Sequence, residues 1–153
     1  MWEIRVVHVG RIADANIARG VSRYVSMVGG EWRLRMDAVP ASRRVEPRQV
    51  RREEGRRLVE RASEDTARVA LDAGGRLLDS PAFARLLGEY KDRGKRVSFL
   101  VGGPHGLDES VLRASEQVLS LSPMTLPHEM ALLVLTEQIY RAFAASTGRA
   151  YAK

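Results

Sequence analysis

Runs of apolar, β-branched residues alternate along this chain with segments of helical periodicity, and this alternation constrains the fold more than any other feature. The first run, Trp2–Val9, stops at Gly10 and predicts a buried strand. Further strands are predicted at residues 32–38, 68–73, 96–101 and 118–121, and helices near 21–28, 47–63, 80 onward, 109–117 and 129–146. This order predicts an α/β fold with a mostly parallel sheet and helices on both faces. The length of 153 residues predicts a single domain, 1–153.

Composition excludes several classes of function. The chain has no cysteine, which rules out disulfide scaffolds, thiolate metal sites, iron–sulfur clusters and cysteine nucleophiles. The three histidines lie in separate segments without metal-ligand spacing, so we expect no metal site. No segment reaches the ~18 apolar residues of a membrane helix, and the first residues lack the apolar run of a signal peptide. We therefore expect a cytoplasmic protein with no membrane partner.

A basic segment is the clearest charge feature of the chain. Residues 43–61 contain eight arginines and four glutamates, a local surplus of four positive charges. Such a segment attracts polyanions. Our candidates for contacts with nucleic acid phosphates are three arginines spaced four residues apart, Arg48, Arg52 and Arg56. The alternative is a solvated helix in which Glu53 pairs with Arg57 and with Arg56, and Glu54 also serves solvation and pairing. Charge alone leaves both interpretations open.

Three loops follow predicted strands, at residues 72–75, 102–106 and 122–128. Glycine after a strand indicates a sharp turn or a close approach of the backbone to a neighbour. In α/β sheets, ligands bind beyond the carboxyl ends of the strands, where these loops are expected to lie. None of the loops matches a dinucleotide fingerprint or a phosphate-binding loop. The residues alone therefore leave two interpretations open, a cofactor site or tight structural turns.

Local signals give further predictions. Residues 74–75, both glycine, are expected to break the third strand, and Ser80 is expected to cap the helix that follows. Asp108 is expected to cap the fourth helix. His8 is interpreted as a core histidine whose hydrogen bonds are satisfied. His128 is interpreted either as a helix cap or as a site residue.

Three blocks in the C-terminal third carry a specific resemblance. They are Phe99-Leu-Val-Gly-Gly-Pro-His-Gly-Leu107, Leu119-Ser-Leu-Ser-Pro-Met-Thr-Leu-Pro-His128 and Glu137-Gln-Ile-Tyr-Arg-Ala142. In this order and spacing they resemble the H family of large-subunit ribosomal RNA methyltransferases, minimal SPOUT-class enzymes that methylate N3 of a pseudouridine in 23S ribosomal RNA. The resemblance covers essentially the whole chain, including the strand that ends at Val9-Gly10.

This resemblance implies a fold, a cofactor and partners. The fold is a SPOUT-type sheet with a C-terminal trefoil knot. The cofactor is S-adenosylmethionine, and nine residues are implied to contact it: Leu71, Gly102, Gly103, Ser122, Pro123, Met124, Thr125, Leu126 and Pro127. The missing side chains at Gly102 and Gly103 are expected to leave room for its adenine. The partners are 23S ribosomal RNA in the ribosome, contacted also by His128 and Lys153, and a second copy of the chain. A homodimer would give the predicted helix at 129–146, apolar on more than one face, a second burial partner.

Two residues are implied to act on the target nucleotide, Arg141 and Tyr151. Arg141 matches the family's Tyr-Arg motif and is expected to hold a developing anion or a phosphate. Pairing at the dimer interface is the alternative for this side chain. Family chains commonly end in Pro-Tyr-His and a basic residue, whereas this chain has Ala152 in place of the histidine. Three hypotheses stay open: a pseudouridine methyltransferase, a ribosome-binding protein without catalysis, and a methyltransferase for another nucleotide.

Overall fold

The computed structural model describes residues 1–151, whose five strands form one parallel sheet in the order β2-β1-β4-β3-β5. The strands are β1 (Trp2–Val9), β2 (Trp32–Val39), β3 (Ala67–Leu77), β4 (Val97–Val101) and β5 (Gln117–Ser120). The helices are α1 (Ala15–Met27), α2 (Pro47–Arg61), α3 (Ser80–Asp92), α4 (Glu109–Arg113) and α5 (His128–Ser146). The predictions that concern Ala152 and Lys153 lie outside the described residues.

Side chains on the two faces of the sheet form two separate apolar cores. The larger core packs one face against α1, α3 and α5, and it buries Phe99 and Phe143 completely. The smaller core packs the other face against α2 and α4, and it buries Leu58, Leu100 and Val111 completely. Burying a side chain of this kind contributes ~1.5–3 kcal/mol. The predicted α/β class, with helices on both faces of a parallel sheet, is confirmed.

The position of each strand in the sheet explains its pattern of residues. β1 lies between two other strands, and its Val6 and Val7 point into opposite cores. The second half of β1 is therefore buried on both sides. β2 lies at an edge, where exposed Arg33 and Arg35 alternate with buried neighbours. This is the half-exposed strand that the alternation in the sequence predicts.

The prediction that β3 is broken at residues 74–75 is wrong. β3 continues to Leu77, and its pairing with β5 shifts register so that Leu119 pairs with both Leu71 and Arg76. The four residues between these two partners leave the ladder and return to it. We call residues 72–75 the excursion of β3. β5 pairs with β3 on both sides of this excursion, so the strand continues past the two glycines.

Two predictions about helix ends also need correction. Asp79, rather than Ser80, caps α3, because its carboxylate accepts a hydrogen bond from a backbone N–H in the first turn at 2.8 Å. Asp108 caps α4 as predicted, but this helix ends at Arg113. It is shorter than expected because residues 117–120 pair with β3 as the edge strand.

The apolar faces of α5 find partners within the same chain. α1 and α3 flank this helix above the sheet. α1 approaches so closely that a Cβ atom on Gly20 would lie 2.8 Å from Leu133 Cδ1. On the other side, the Ser80 hydroxyl donates to Gln138 Oε1 at 2.6 Å. The many apolar positions of α5 are thus covered in part without a second subunit.

Candidate functional site

A cavity of about 560 Å³ opens at the carboxyl ends of β3, β4 and β5. It is lined by residues 71–73, 101–107, 121–122 and 124–128, together with Ala131. Parallel strands place the loops that follow them at one edge of a sheet, and the three loops singled out in the sequence all meet here. The volume and the mostly apolar lining are those of a site for a small molecule.

Eight of the nine residues predicted to contact a cofactor line this cavity, and the exception is the exposed Pro123. Asp72 and Ala73 also line the cavity, although the sequence analysis names neither as a cofactor contact; both lie in one of the three loops. Residues 104–106 likewise lie in a loop that the sequence singles out, whereas Val101, Leu107, Leu121 and Ala131 were not predicted as lining residues. Leu107 directly follows the glycine-rich loop after β4, whereas nothing in the sequence distinguishes Ala131 from the other residues of its helix.

Leu71, Asp72 and Ala73, at the start of the excursion of β3, form one wall of the cavity. The Asp72 carboxylate accepts a hydrogen bond from the Gly74 N–H at 2.9 Å, which fixes the side chain against its own loop. Where the loop returns to the sheet, a Cβ atom on Gly75 would lie 2.7 Å from the carbonyl carbon of Leu119. Only glycine therefore allows β3 to pass this close to β5.

The loop after β4 closes on itself. The Gly103 carbonyl accepts a hydrogen bond from the Gly106 N–H at 2.9 Å, and Gly106 has a positive φ of 79°. A Cβ atom on Gly102 would lie 2.7 Å from the carbonyl carbon and oxygen of Gly106. The absent side chain at Gly102 thus makes room for the loop's own backbone. The expectation that it leaves space for an adenine is wrong.

The absent side chain at Gly103 faces the protein interior. A Cβ atom there would lie 3.2 Å from Glu54 Oε1 and 3.4 Å from Val9 Cβ. Glu54 is only 3% exposed; its Oε2 accepts a hydrogen bond from the Ser42 N–H at 2.9 Å, and its Oε1 has no partner among the described residues. Two expectations are therefore wrong: Gly103 does not leave space for a ligand, and Glu54 is not a solvated or paired surface carboxylate.

The third loop leads into α5. The Ser122 hydroxyl accepts a hydrogen bond from the Met124 N–H at 3.0 Å, and Met124 extends to the exposed rim. Among the described residues, no side chain accepts a hydrogen bond from the first turn of α5, and His128 at its start lines the cavity. The Glu129 carboxylate turns away and accepts hydrogen bonds from two backbone N–H groups before α1, which lower its pKa. His128 is thus a wall residue of the cavity.

His8 does not fit its predicted role. It is buried and pairs in register with Val101, a wall residue of the cavity. Its Nδ1 has no hydrogen-bond partner among the described residues, so the expectation of a satisfied core histidine is wrong. Burial lowers the pKa of His8 because the charged imidazolium is poorly solvated there, and the charge of nearby His128 acts in the same direction.

Arg141 and Tyr151 lie together at the far end of α5. Glu137 Oε1 accepts hydrogen bonds from Arg141 Nη2 at 2.6 Å and from the Tyr151 hydroxyl at 3.1 Å. The Arg141 guanidinium lies 4.9 Å from the centroid of the Tyr151 ring. Burial raises the pKa of Tyr151, and the hydrogen bond to Glu137 raises the pKa of Arg141. Arg141 follows the wall residue Ala131 by ten positions, about 15 Å along a helix. The structure therefore does not bring this pair to the cavity of its own chain.

The three candidate arginines of α2 lie on its exposed face. Arg48, Arg52 and Arg56 form no ion pair with any described residue. By contrast, Arg57 pairs with Glu53 at 2.5 Å, as the helical spacing predicts. The pKa of Asp108 is lowered mainly by the Ser110 hydroxyl, and the charge of Arg52 adds to this. A Cβ atom on Gly55 of α2 would lie 3.4 Å from Asp108 Cβ, so α2 packs next to the residue that directly follows the cavity loop at 102–107.

Two features are absent from residues 1–151. No helix in this part of the chain is long and apolar enough to cross a membrane. No group of three or more histidine, aspartate or glutamate side chains in it is arranged to hold a metal ion.

Comparisons with known proteins place the cavity in context. Residues 2–152 match the family described as predicted SPOUT methyltransferases. Over 151 residues, the chain is 38% identical to the ribosomal RNA large subunit methyltransferase H of Alkalilimnicola ehrlichii, and the match covers 97% of each protein. A probable methyltransferase from Bordetella pertussis Tohama I has a similar structure, with a TM-score of 0.58 and 14% identity over 93% of this chain and 96% of that one. The ribosomal RNA small subunit methyltransferase E of Neisseria gonorrhoeae, bound to S-adenosyl methionine, has a TM-score of 0.53 and 12% identity over 92% of this chain and 66% of that one.

Proposed function

Because the chain belongs to the SPOUT methyltransferase family, we propose that it transfers a methyl group from S-adenosylmethionine to 23S ribosomal RNA of the large subunit. The finer proposal is that the acceptor is N3 of a pseudouridine in the subunit or the assembled ribosome. The observation that carries the proposal is the cavity at the carboxyl edge of the sheet, formed by the loops that resemble the family. The proposal includes a single domain at residues 1–153, a C-terminal trefoil knot and a cytoplasmic location.

The residues of the cavity fit S-adenosylmethionine. Apolar walls such as Leu71 and Leu126 suit an adenine ring, and the turns at residues 102–106 and 122–127 supply backbone N–H and carbonyl groups that can read its edge. Asp72 places a carboxylate beside a ligand that carries a positive charge. When bound, the cofactor supplies an electrophilic methyl group. The residues proposed to hold it are the eight predicted contacts that line the cavity.

The acceptor nitrogen needs help from the protein. N3 of a pseudouridine carries a proton at neutral pH, so a site must remove that proton or stabilise the anion. We assign the anion to Arg141, with Tyr151 beside it, both oriented by Glu137. Since Arg141 lies about 15 Å along α5 from the cavity of its own chain, this role requires the cavity of a second copy.

A twofold dimer meets this requirement, because each copy then supplies Arg141 and Tyr151 to the cavity of the other. The interface is proposed to involve α5 and its neighbour α1. Light scattering at micromolar concentration tests the assembly. A mass near the 17.0 kDa of one chain would contradict both the dimer and the assigned role of Arg141.

Ribosomal RNA is proposed to bind across the cavity and the exposed face of α2. The support is that α2 packs against Asp108 at the end of the cavity loop and that its exposed Arg48, Arg52 and Arg56 form no ion pair with described residues. Arginine forks bind phosphate oxygens in two-point contacts. His128 at the cavity wall and Lys153 complete the proposed RNA contacts.

Methylation of ribosomes from a strain that lacks this gene tests the function directly. Purified protein and S-adenosylmethionine should add one methyl group to the 23S ribosomal RNA, and mass mapping of RNA fragments identifies the nucleotide. Transfer to a different nucleotide would contradict the finer proposal alone. Cofactor binding without any methyl transfer would instead support the second hypothesis, a ribosome-binding protein that lacks catalysis because Ala152 replaces the family's histidine.

A further inference from the structure

We propose that Asp72 is a specificity-determining residue that reads the charge of the cofactor, so that the cavity favours cationic S-adenosylmethionine over the neutral product S-adenosylhomocysteine. This inference rests on the proposed function. It concerns a side chain to which the proposed methyl transfer assigns no catalytic step.

The backbone around Asp72 departs from regular structure in a way that serves this side chain. Leu119 of β5 pairs with both Leu71 and Arg76, so residues 72–75 leave the ladder at the cavity. Such irregularities interrupt strand pairing, and they often occur beside functional sites, where they redirect a side chain. Here Asp72, the first residue that leaves the ladder with β5, lies in the cavity wall.

The carboxylate is held in place. Asp72 Oδ2 accepts the Gly74 N–H at 2.9 Å, and Oδ1 has no hydrogen-bond partner among the described residues. Gly75 returns the loop to β5 through a contact that only glycine allows. The charge is therefore fixed at the wall by backbone geometry rather than carried on a mobile side chain.

The charge of Asp72 is not offset within the cavity wall. Among the described residues that line the cavity, Asp72 is the only carboxylate, and none is lysine or arginine. The other titratable side chains of the wall are His105 and His128. Within the part of the wall that one chain supplies, the fixed charge of the lining side chains is therefore negative.

Methyl transfer changes the charge of the ligand in this wall. The S–CH3 bond breaks, sulfur keeps its electron pair, the new N–CH3 bond forms, and the proton of the acceptor nitrogen leaves to a base or to water. The ligand thereby loses the positive charge at sulfur, while its adenosine, its amino group and its carboxylate are unchanged. Attraction by Asp72 to the sulfur centre is thus present before transfer and absent after it, which favours exchange of product for fresh cofactor.

The size of the effect follows from the size of the cavity. Taken as a sphere, a volume of 560 Å³ is about 10 Å across, and we use about 12 Å as the separation between Asp72 and a sulfur centre in the cavity. At 12 Å and an effective dielectric constant of ~20, opposite unit charges attract by ~1.4 kcal/mol, which is about tenfold in affinity. Asp72 is partly exposed, and water screens some of this attraction. We therefore expect a roughly three- to tenfold effect.

Calorimetric titration of Asp72→Asn with three ligands tests the inference. The ligands are S-adenosylmethionine, S-adenosylhomocysteine and sinefungin, in which a protonated amine takes the place of the sulfonium. The variant should bind the two cationic ligands about three- to tenfold more weakly and S-adenosylhomocysteine with unchanged affinity. The asparagine oxygen can still accept the Gly74 N–H, so the loop should keep its shape.

The control is Asp92→Asn, at the exposed end of α3 on the opposite edge of the sheet. It should leave all three affinities unchanged. Equal weakening of all three ligands in Asp72→Asn would overturn the inference, since Asp72 would then read a part that substrate and product share. Unchanged affinities would overturn it as well. Failure of the wild-type protein to bind S-adenosylmethionine would instead refute the proposed function.

Discussion

Replacing Gly102 with alanine tests whether the closed loop after β4 shapes the cofactor cavity. The new Cβ atom would lie 2.7 Å from the carbonyl carbon and oxygen of Gly106 and 3.1 Å from the Leu107 nitrogen. All of these are backbone atoms, so no change of rotamer relieves the contact. The loop must open, and the hydrogen bond between Gly106 and Gly103 is then strained or lost.

The expected loss of cofactor affinity follows from the cost of inserting a methyl group into a packed site, typically ~1–3 kcal/mol. If the cavity binds S-adenosylmethionine only with this loop closed, the same energy is subtracted from binding. Affinity should then fall by about five- to 150-fold. The two apolar cores lie below the loop and keep their contacts, so the variant should fold and lose no more than ~3 kcal/mol of unfolding free energy.

Calorimetric titration with S-adenosylmethionine and denaturant unfolding measure the two quantities separately. Gly88→Ala in α3 is the matched control, because nothing lies within 4 Å of its added Cβ atom. This control should bind normally and gain up to ~1 kcal/mol of stability, since alanine is the better helix former. A folded Gly102→Ala protein with unchanged affinity would refute the idea that loop closure shapes the cavity.

Three further predictions concern the remaining site residues. Changing Arg48, Arg52 and Arg56 of α2 together to glutamine should weaken ribosome binding and reduce the slope of log affinity against log salt by up to ~3, while cofactor affinity stays unchanged. An unchanged slope would show that these arginines form only a solvated helix face. Arg141→Ala should sharply lower the single-turnover methylation rate without changing cofactor affinity, whereas Ala152→His should raise that rate at most modestly near neutral pH. If Ala152→His transferred the methyl group and the native chain did not, the native chain would be a ribosome-binding protein without catalysis. Burial lowers the pKa of His8, so as pH falls below about 6.5 the unfolded chain takes up a proton that the folded chain resists. Unfolding free energy should therefore decrease from pH 7 to 5, and His8→Leu should reduce that dependence in denaturant titrations.

Most of the fold follows from local patterns in the sequence. β1 has the predicted bounds because its β-branched run stops at a glycine, and α2 begins at Pro47 because proline suits a first helical turn. The course of β3 does not follow from such patterns. Its continuation past residues 74–75 depends on pairing with Leu119, more than forty positions away. Local glycine signals indicate a deviation there but give no information on whether the strand resumes.

The position of the candidate site is more predictable than its detail. Three strand-end loops must meet at one edge of a parallel sheet, so their convergence could be inferred before the structure. The direction in which each residue points could not. Gly103 faces Glu54 and Val9 because α2 packs beneath the loop, a tertiary contact with no counterpart in local sequence. For the same reason Glu54 reads as a surface residue in an arginine-rich segment and is buried in the structure.

The length of α5 connects the proposed chemistry to the proposed assembly. Methyl transfer requires the reacting atoms to approach within ~3–3.5 Å, yet Arg141 lies ten residues beyond the last wall residue of α5, or about 15 Å. No change of side-chain conformation spans that gap, and Glu137 holds the guanidinium in place. A catalytic Arg141 therefore needs a second copy of the chain at the cavity. In a monomer, the same side chain could only orient Tyr151 and the end of its own helix.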